Sequence, residues 1–134
     1  MNKHHISLEL NKVLALLTEY TTCEDARYMA EHLEPETNLD LAKALLGQTE
    51  DAHALMAKFG APSFGSLKNV NNALSRANAG SVLNMRELLD IAEVLRVIRG
   101  LSEWRSKNAG IVTRIDSLFY SMSPNKFLED RITN

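Results

Sequence analysis

Apolar residues recur at helical spacing along nearly the whole chain. Leu10, Val13, Leu14 and Leu17, with Leu8 at the entrance, predict a first helix over about Glu9 to Tyr20. Ala26, Met29, Ala30 and Leu33 predict a short second helix over Glu24 to Leu33, entered through Thr22 or Cys23 and closed by Pro35. Asn38 is a helix-capping residue type, and behind it Leu41, Leu45, Ala52, Leu55 and Phe59 share one face of a helix over Leu39 to Phe59. Gly47 weakens that run slightly, and Gly60 is placed to stop it.

The stretch Gly60-Ala61-Pro62-Ser63-Phe64-Gly65-Ser66 excludes regular structure. Gly60 and Gly65 are expected to shape this loop, and Phe64 to anchor it in the core. A Phe64 buried in that way would cost about 3–5 kcal/mol on truncation to alanine. Val70, Leu74 and Ala77 then predict a short helix over Val70 to Ala79, ended by Gly80.

Asn84-x-x-Glu87 has the form of a capping box and opens the longest helix, Met85 to about Lys107. At the usual rise it is about 35 Å long. Leu88, Ile91, Ala92, Leu95, Ile98 and Leu101 form its main apolar face, with Leu88 and Leu95 as expected anchors. Val94, Val97 and Trp104 widen that face, so contacts on more than one side are expected. Ile111, Ile115, Leu118 and Phe119 predict another short helix ending near Pro124. Phe127, Leu128 and Ile132 begin an amphipathic pattern that the chain end, over 125–134, cuts off. A face of about two turns is marginal alone, which suggests a piece of a larger protein. The expected architecture is all-α: one irregular bundle of six or seven helices over 1–134, with one long central helix.

Composition supports this. Aromatic residues are 6% of the chain, so the core falls to Leu, Ile, Val, Ala and Met, a palette that favours helices. The net charge of −2 excludes a general polyanion binder, but it is unevenly spread. Residues 1–67 hold 5 Lys and Arg against 10 Asp and Glu, whereas 68–134 hold 10 against 7. The single cysteine, Cys23, fits a reducing compartment. No run approaches the roughly 18–20 apolar residues of a membrane span, and the start lacks the apolar run of a signal peptide. Cytoplasmic location without membrane attachment is expected.

The residue types that carry chemistry are sparse. Glu50-x-x-His53 has the spacing used in di-metal helical bundles, but His32 has Met29 rather than an acid three residues before it, so a second copy is missing. His4 and His5 are adjacent near the start and suit adventitious metal at most. Glu24 and Asp25 beside Cys23 disfavour a thiolate. No Gly-x-Ser-x-Gly elbow and no lysine-bearing phosphate loop is present. No catalytic, cofactor-binding or metal-binding residue is therefore assigned. The remaining candidates are Arg96, Arg99, Arg105 and Lys107, late in the long helix, as nucleic-acid contacts. The simpler reading of that stripe is an exposed face with i, i+4 pairs, Arg99 with Glu103 and Glu103 with Lys107.

Several segments also resemble a known family. Leu8-Glu9-Leu10-Asn11-Lys12-Val13-Leu14 resembles the Leu-Glu-Phe-Asp-Lys-Ile-Leu opening of the second branch of MutS-type proteins, and Glu34-Pro35-Glu36-Thr37 its Pro-x-Thr helix exit. Thr49-Glu50-Asp51-Ala52 is similar to its Thr-x-Glu-Ala segment, and Gly60-Ala61-Pro62-Ser63-Phe64-Gly65 to its Gly-x-Pro-Pro-Phe-Gly loop. The longest match runs from Ala73-Leu74-x-Arg76-Ala77 through Gly80 and Val82-Leu83 to Glu87-Leu88-Leu89-x-Ile91-Ala92-x-x-Leu95-Arg96. The resemblance implies the N-terminal segment of a MutS core and lever. In the parent it implies an ATPase using ATP and magnesium, a C-terminal Smr endonuclease domain, a homodimer, and action on DNA in recombination and repair or on stalled ribosomes. None of the ATP-binding or Smr motifs lies in this chain. Its expected role is thus a non-catalytic scaffold that couples the remainder of the parent chain to DNA or ribosomal RNA. The alternative is a stand-alone helical adaptor that binds a protein partner through the broad face of 85–107.

Overall fold

The computed structural model describes residues 6–134. Seven helices are described in full: α1 (Leu10–Thr18), α2 (Glu24–Glu31), α3 (Leu39–Phe59), α4 (Asn71–Asn78), α5 (Met85–Lys107), α6 (Asp116–Tyr120) and α7 (Lys126–Thr133). No strand occurs among the described residues. The fold is all-α, an irregular arrangement around the long α5.

Local chemistry sets the helix starts. Asn38 Oδ1 accepts from the N–H groups of Asp40 and Leu41, both at 3.0 Å, and so begins α3. At α5 the capping box is complete. Glu87 N–H donates to Asn84 Oδ1 at 2.9 Å, and Asn84 N–H donates to the Glu87 carboxylate at 3.0 Å. Two backbone donors that the helix cannot satisfy internally are thereby paired. Asn125 does the same for α7, accepting from Leu128 N–H at 3.0 Å. Gly60 ends α3 at φ 79°, ψ 159°, a conformation closed to residues with a Cβ.

Three boundaries differ from the periodicity. α1 is shorter than Glu9 to Tyr20, because Glu9 takes a positive φ of 58° at its entrance. α2 stops at Glu31 rather than Leu33, where the His32 ring bonds the Tyr28 carbonyl at 2.8 Å and stacks on the Tyr28 ring. Ile111 and Ile115 lie outside α6, because the chain from 108 to 115 is drawn toward Arg105 instead of coiling.

The best-formed core lies on α5, which packs against α7 and α6. Ile91, Ala92, Val97 and Leu101 are buried there, and Leu88, Val94, Leu95, Ile98 and Trp104 are half-buried. The wide apolar face of α5 is used on several sides, as its sequence predicts. Trp104 stacks on Phe119 of α6 with ring centroids 6.0 Å apart. α7 runs back along α5: Glu129 meets Arg99, while Thr133 lies in a cleft with Leu89 and Ala92. α1 and α2 form a separate hairpin that buries Leu14 and Ala30. Asn69 ties α2 to the loop before α4, donating to Asp25 at 2.7 Å. α3 buries Leu55 and is tied to the segment before α6 by Arg114 and Asp51. The Arg114 guanidinium lies where a Cβ at position 47 would stand, which gives Gly47 a packing role.

Phe64 is not enclosed; it is 47% exposed. The loop is instead seated through Gly65, whose φ of 57° and close approach to α5 need no side chain. A Cβ there would lie 3.2 Å from both the Glu93 carboxylate and the Val97 methyl. The short helix α4 is also rotated from its expected face: Ala73 is buried and Leu74 is 48% exposed.

These observations lower the expected cost of Phe64→Ala and place it below that of Gly65→Ala. Gly65→Ala costs about 1–2 kcal/mol from the left-handed backbone alone. Phe64→Ala costs about 1 kcal/mol, in proportion to its partial burial. Urea unfolding of the two variants checks the ranking. A Phe64→Ala loss above that of Gly65→Ala contradicts it.

Candidate functional site

The four basic candidates of α5 fall into three different environments. Arg105 is 4% exposed and belongs to the interior. Its guanidinium donates to Asp116 Oδ1 through Nε at 2.9 Å and Nη2 at 2.7 Å, to the Asn108 carbonyl at 2.6 Å and to the Ile111 carbonyl at 2.5 Å. A guanidinium carries five N–H donors in a fixed fork, so little is left for a phosphate. Arg105 is a structural hub, and the expectation of a nucleic-acid contact there is corrected. Its i−3 and i−4 helical neighbours, which periodicity sees, carry none of these acceptors.

Arg99 is half-buried and bidentate to Glu129 of α7, at 3.0 Å and 2.9 Å. Its pair with Glu103 exists, at 3.3 Å, but is the secondary one. Burial of the Glu129 carboxylate is tolerated because both of its oxygens are bonded. Its pKa is lowered, chiefly by the Arg99 hydrogen bonds against the opposing effect of burial. The Arg99 pKa is raised, chiefly by the Glu129 hydrogen bonds and then by those of Glu103.

Arg96 pairs with Glu93 within α5 and remains largely exposed. Lys107 is exposed, and it forms no ion pair among the described residues, with Glu103 or otherwise. The stripe is therefore split. Arg96 and Lys107 face outward, whereas Arg99 and Arg105 bind helices together.

Three acids that belong to no catalytic motif in the sequence anchor this arrangement: Asp51, Asp116 and Glu129. Asp116 had a local signal, since Thr113-x-x-Asp116 has capping-box spacing. The Thr113 hydroxyl donates to Asp116 Oδ1 at 2.6 Å and its N–H to Oδ2 at 3.1 Å. The Asp116 pKa is lowered from 3.8 to about 2, first by these two Thr113 hydrogen bonds and then by Arg105, with burial opposing. Asp51 is lowered as well, first by the Arg114 N–H at 2.7 Å and then by the Arg114 guanidinium. No local pattern points to Asp51 or Glu129 as partners of Arg114 and Arg99.

The other candidates remain apart. Glu50 and His53 are exposed on α3, and Glu50 lies 3.8 Å from Arg114. No cluster of three His, Cys, Asp or Glu that would hold a metal occurs among the described residues. Cys23 is half-buried at the start of α2 without capping it through its side chain. His4 and His5 lie outside the described residues. A cleft of about 370 Å³ opens beside Arg105, lined by Ser102, Phe119, Tyr120, Met122 and Pro124. Ser102 Oγ is buried at its wall with no hydrogen-bond partner among the described residues. No helix among the described residues is long and apolar enough to cross a membrane.

Arg105→Ala removes one partner from a buried charge pair and strips two carbonyls of their donor. The expected loss is large, lowering the melting temperature by roughly 10 °C or more. For Asp116 the folded pKa lies below the ordinary value, so its stabilisation is complete above about pH 4. It is lost as pH falls toward about 2, because protonation then favours the unfolded chain. Urea titrations between pH 7 and pH 2 should show stability falling through that window, with Asp116→Asn less stable at pH 7 and flatter in acid. An acid profile unchanged by Asp116→Asn contradicts the assignment.

The chain is similar to proteins named Endonuclease MutS2. The one from Acetivibrio thermocellus is 36% identical over 129 residues, covering 93% of this chain and 16% of that protein. Those from Ruminiclostridium cellulolyticum and Agathobacter rectalis are 32% and 33% identical, each covering 98% of this chain and 17% of the relative. No family model matches the chain. No solved structure matches it. The chain thus spans about one-sixth of the length of these curated relatives, 16–17%. Similarity at this level over nearly every residue, repeated across several relatives, assigns the chain to the MutS2 family, of whose members it matches one segment.

Proposed function

We propose that this chain is a non-catalytic scaffold and coupling segment of a MutS2-type protein acting in the cytoplasm. It corresponds to the first helices of a core that joins nucleic-acid-gripping parts to an ATPase and an Smr nuclease. The observation that carries the reading is the fate of its charged side chains. Arg99, Arg105 and Arg114, with Glu129, Asp116 and Asp51, hold helices and loops to one another. A side chain locked in a bidentate structural pair is poorly placed to move protons or grip a ligand. The chain's relatives carry the name endonuclease, and in this reading their chemistry lies outside the matched segment. ATP and magnesium belong to the parent protein, as does its homodimer. DNA, or the ribosome, is reached through the full-length protein, with Arg96 and Lys107 as peripheral phosphate contacts of this segment.

The adaptor reading needs the broad face of the Met85–Lys107 helix to be free. That face is occupied by α6, α7 and the Gly65 loop, which favours the coupling role.

The test is a chimera in which residues 1–134 replace the matching segment of the Acetivibrio thermocellus protein. Its ATP turnover should respond to DNA as the parent's does, while a deletion of the segment should uncouple the two. The isolated chain should show no ATP hydrolysis, no DNA cleavage, and only weak binding that fades as salt rises. Turnover by residues 1–134 alone, or a chimera as uncoupled as the deletion, sinks the proposal.

A further inference from the structure

The cleft beside Arg105 has a volume of about 370 Å³, within the roughly 300–1,000 Å³ of small-molecule sites. It lies between the last turns of α5, α6 and the segment leading to α7. Phe119, Tyr120, Met122 and Pro124 give it a mainly apolar wall. Phe119 is backed by Trp104, with ring centroids 6.0 Å apart, and the Tyr120 ring is 77% exposed.

Two buried polar groups of α5 stand in that wall. Ser102 Oγ is buried and has no hydrogen-bond partner among the described residues. A helical serine or threonine can turn its hydroxyl to the carbonyl four residues back. Ser106, one turn on, does so, donating to the Ser102 carbonyl at 2.8 Å, and Thr133 donates to the Glu129 carbonyl at 3.0 Å. Ser102 makes no such bond, although a buried hydroxyl left unpaired is destabilising and native structures hold few of them. Arg105, 4% exposed, is the second group. Four of its five N–H groups go to Asp116, Asn108 and Ile111, and the remaining one, on Nη1, has no acceptor among the described residues. Arg105 is the one charged side chain in the wall among the described residues, and Asp116 at 2.7 Å already matches its charge.

We infer that this cleft binds a neutral, flat heteroaromatic ring with hydrogen-bond acceptors on its edge, the chemistry of a nucleobase. The ring packs against Phe119, Tyr120 and Met122, as rings do on aromatic side chains. An edge nitrogen or carbonyl oxygen accepts from the Ser102 hydroxyl, which turns toward it about the Cα–Cβ bond and breaks no existing bond in doing so. Arg105 is three residues on, on the same side of α5, and its remaining N–H is a second donor for the same edge. Neutrality follows from the Arg105–Asp116 pair: an anion would meet a guanidinium already matched and a carboxylate beside it. A purely apolar occupant would leave both buried polar groups unpaired. This inference does not rest on the coupling reading above.

Trp104 is the only tryptophan in the sequence and stacks on Phe119, so its emission reports on the cleft. Titration of residues 1–134 with uridine and with adenosine should change that emission saturably for at least one of them. Toluene, a ring without edge acceptors, should bind at least about tenfold more weakly. Ser102→Ala should weaken the nucleoside about tenfold and toluene hardly at all. Its melting temperature should not fall, because the hydroxyl it deletes is unpaired in the free protein. A lower melt with the preference for nucleoside over toluene intact makes Ser102 merely structural and overturns the inference. Tyr120→Ala, at an exposed ring, should weaken both ligands. Short oligouridylate and oligoadenylate strands separate two sources of the ring. A strand that binds more tightly than its nucleoside, and less so as salt rises, assigns the base to a single strand. A nucleoside that binds as tightly as its strand, or more so, assigns it to a free nucleoside. No saturable change in emission, together with no retention of either nucleoside in equilibrium dialysis, overturns the inference. So does nucleoside binding that Ser102→Ala and Tyr120→Ala leave unchanged, since the ring then sits elsewhere. So does loss of nucleoside binding in the chimera described above, since the parent chain then fills the cleft. None of these readouts uses ATP turnover, so failure here is distinguishable from failure of the coupling function.

Discussion

A buried guanidinium cannot shed its proton, so it must be met by acceptors wherever the chain places it. Arg105 imposes that constraint at the end of α5. The Asn108 and Ile111 carbonyls and the Asp116 carboxylate converge on it. To do so the chain must leave the helix, curl around the guanidinium and start α6 at Asp116. Thr113 braces the same carboxylate from the other side. The reversal sends the chain back, and α7 then lies along α5 with Glu129 against Arg99. The Trp104–Phe119 stack follows from the path that this turn sets.

The two halves of the molecule are built on different principles. Around α5, apolar contact and buried ion pairs act together, and each pair has its lone pairs and donors largely satisfied. In α1 to α3 the helices are well started, by Asn38 at α3 for example, but few of their apolar side chains find cover. Helix formation depends on propensity and caps, whereas burial depends on a partner surface. A segment can therefore be helical throughout and still be incomplete as a core. This difference agrees with a chain that matches 16–17% of the length of its relatives.

Much of the architecture is legible in the order of residues. Asn84-x-x-Glu87 marks the start of α5, Asn38 that of α3, and Gly60 the end of α3, because each is a contact between near neighbours. The wide face of α5 is legible too, from Val94, Val97 and Trp104 beside the main stripe. The loop around Gly65 is visible as a break, but its attachment to α5 through a glycine rather than through Phe64 is not. Periodicity ranks side chains by hydrophobicity and has no term for a backbone that approaches directly.

The candidate basic stripe shows the same division more sharply. From the sequence, Arg96, Arg99, Arg105 and Lys107 are four cations on one helix, and their type, spacing and count are all determined there. Their roles depend on residues far along the chain: Arg105 on Asp116, 11 positions away, and Arg99 on Glu129, 30 positions away. The sequence by itself determined the helices, their caps and the family, since these rest on local hydrogen bonds and on the residues themselves. Only the tertiary structure decided which cations are structural and which face outward, and which apolar faces remain open. Burial and ion pairing are properties of surfaces brought together from distant positions, and no local pattern encodes them.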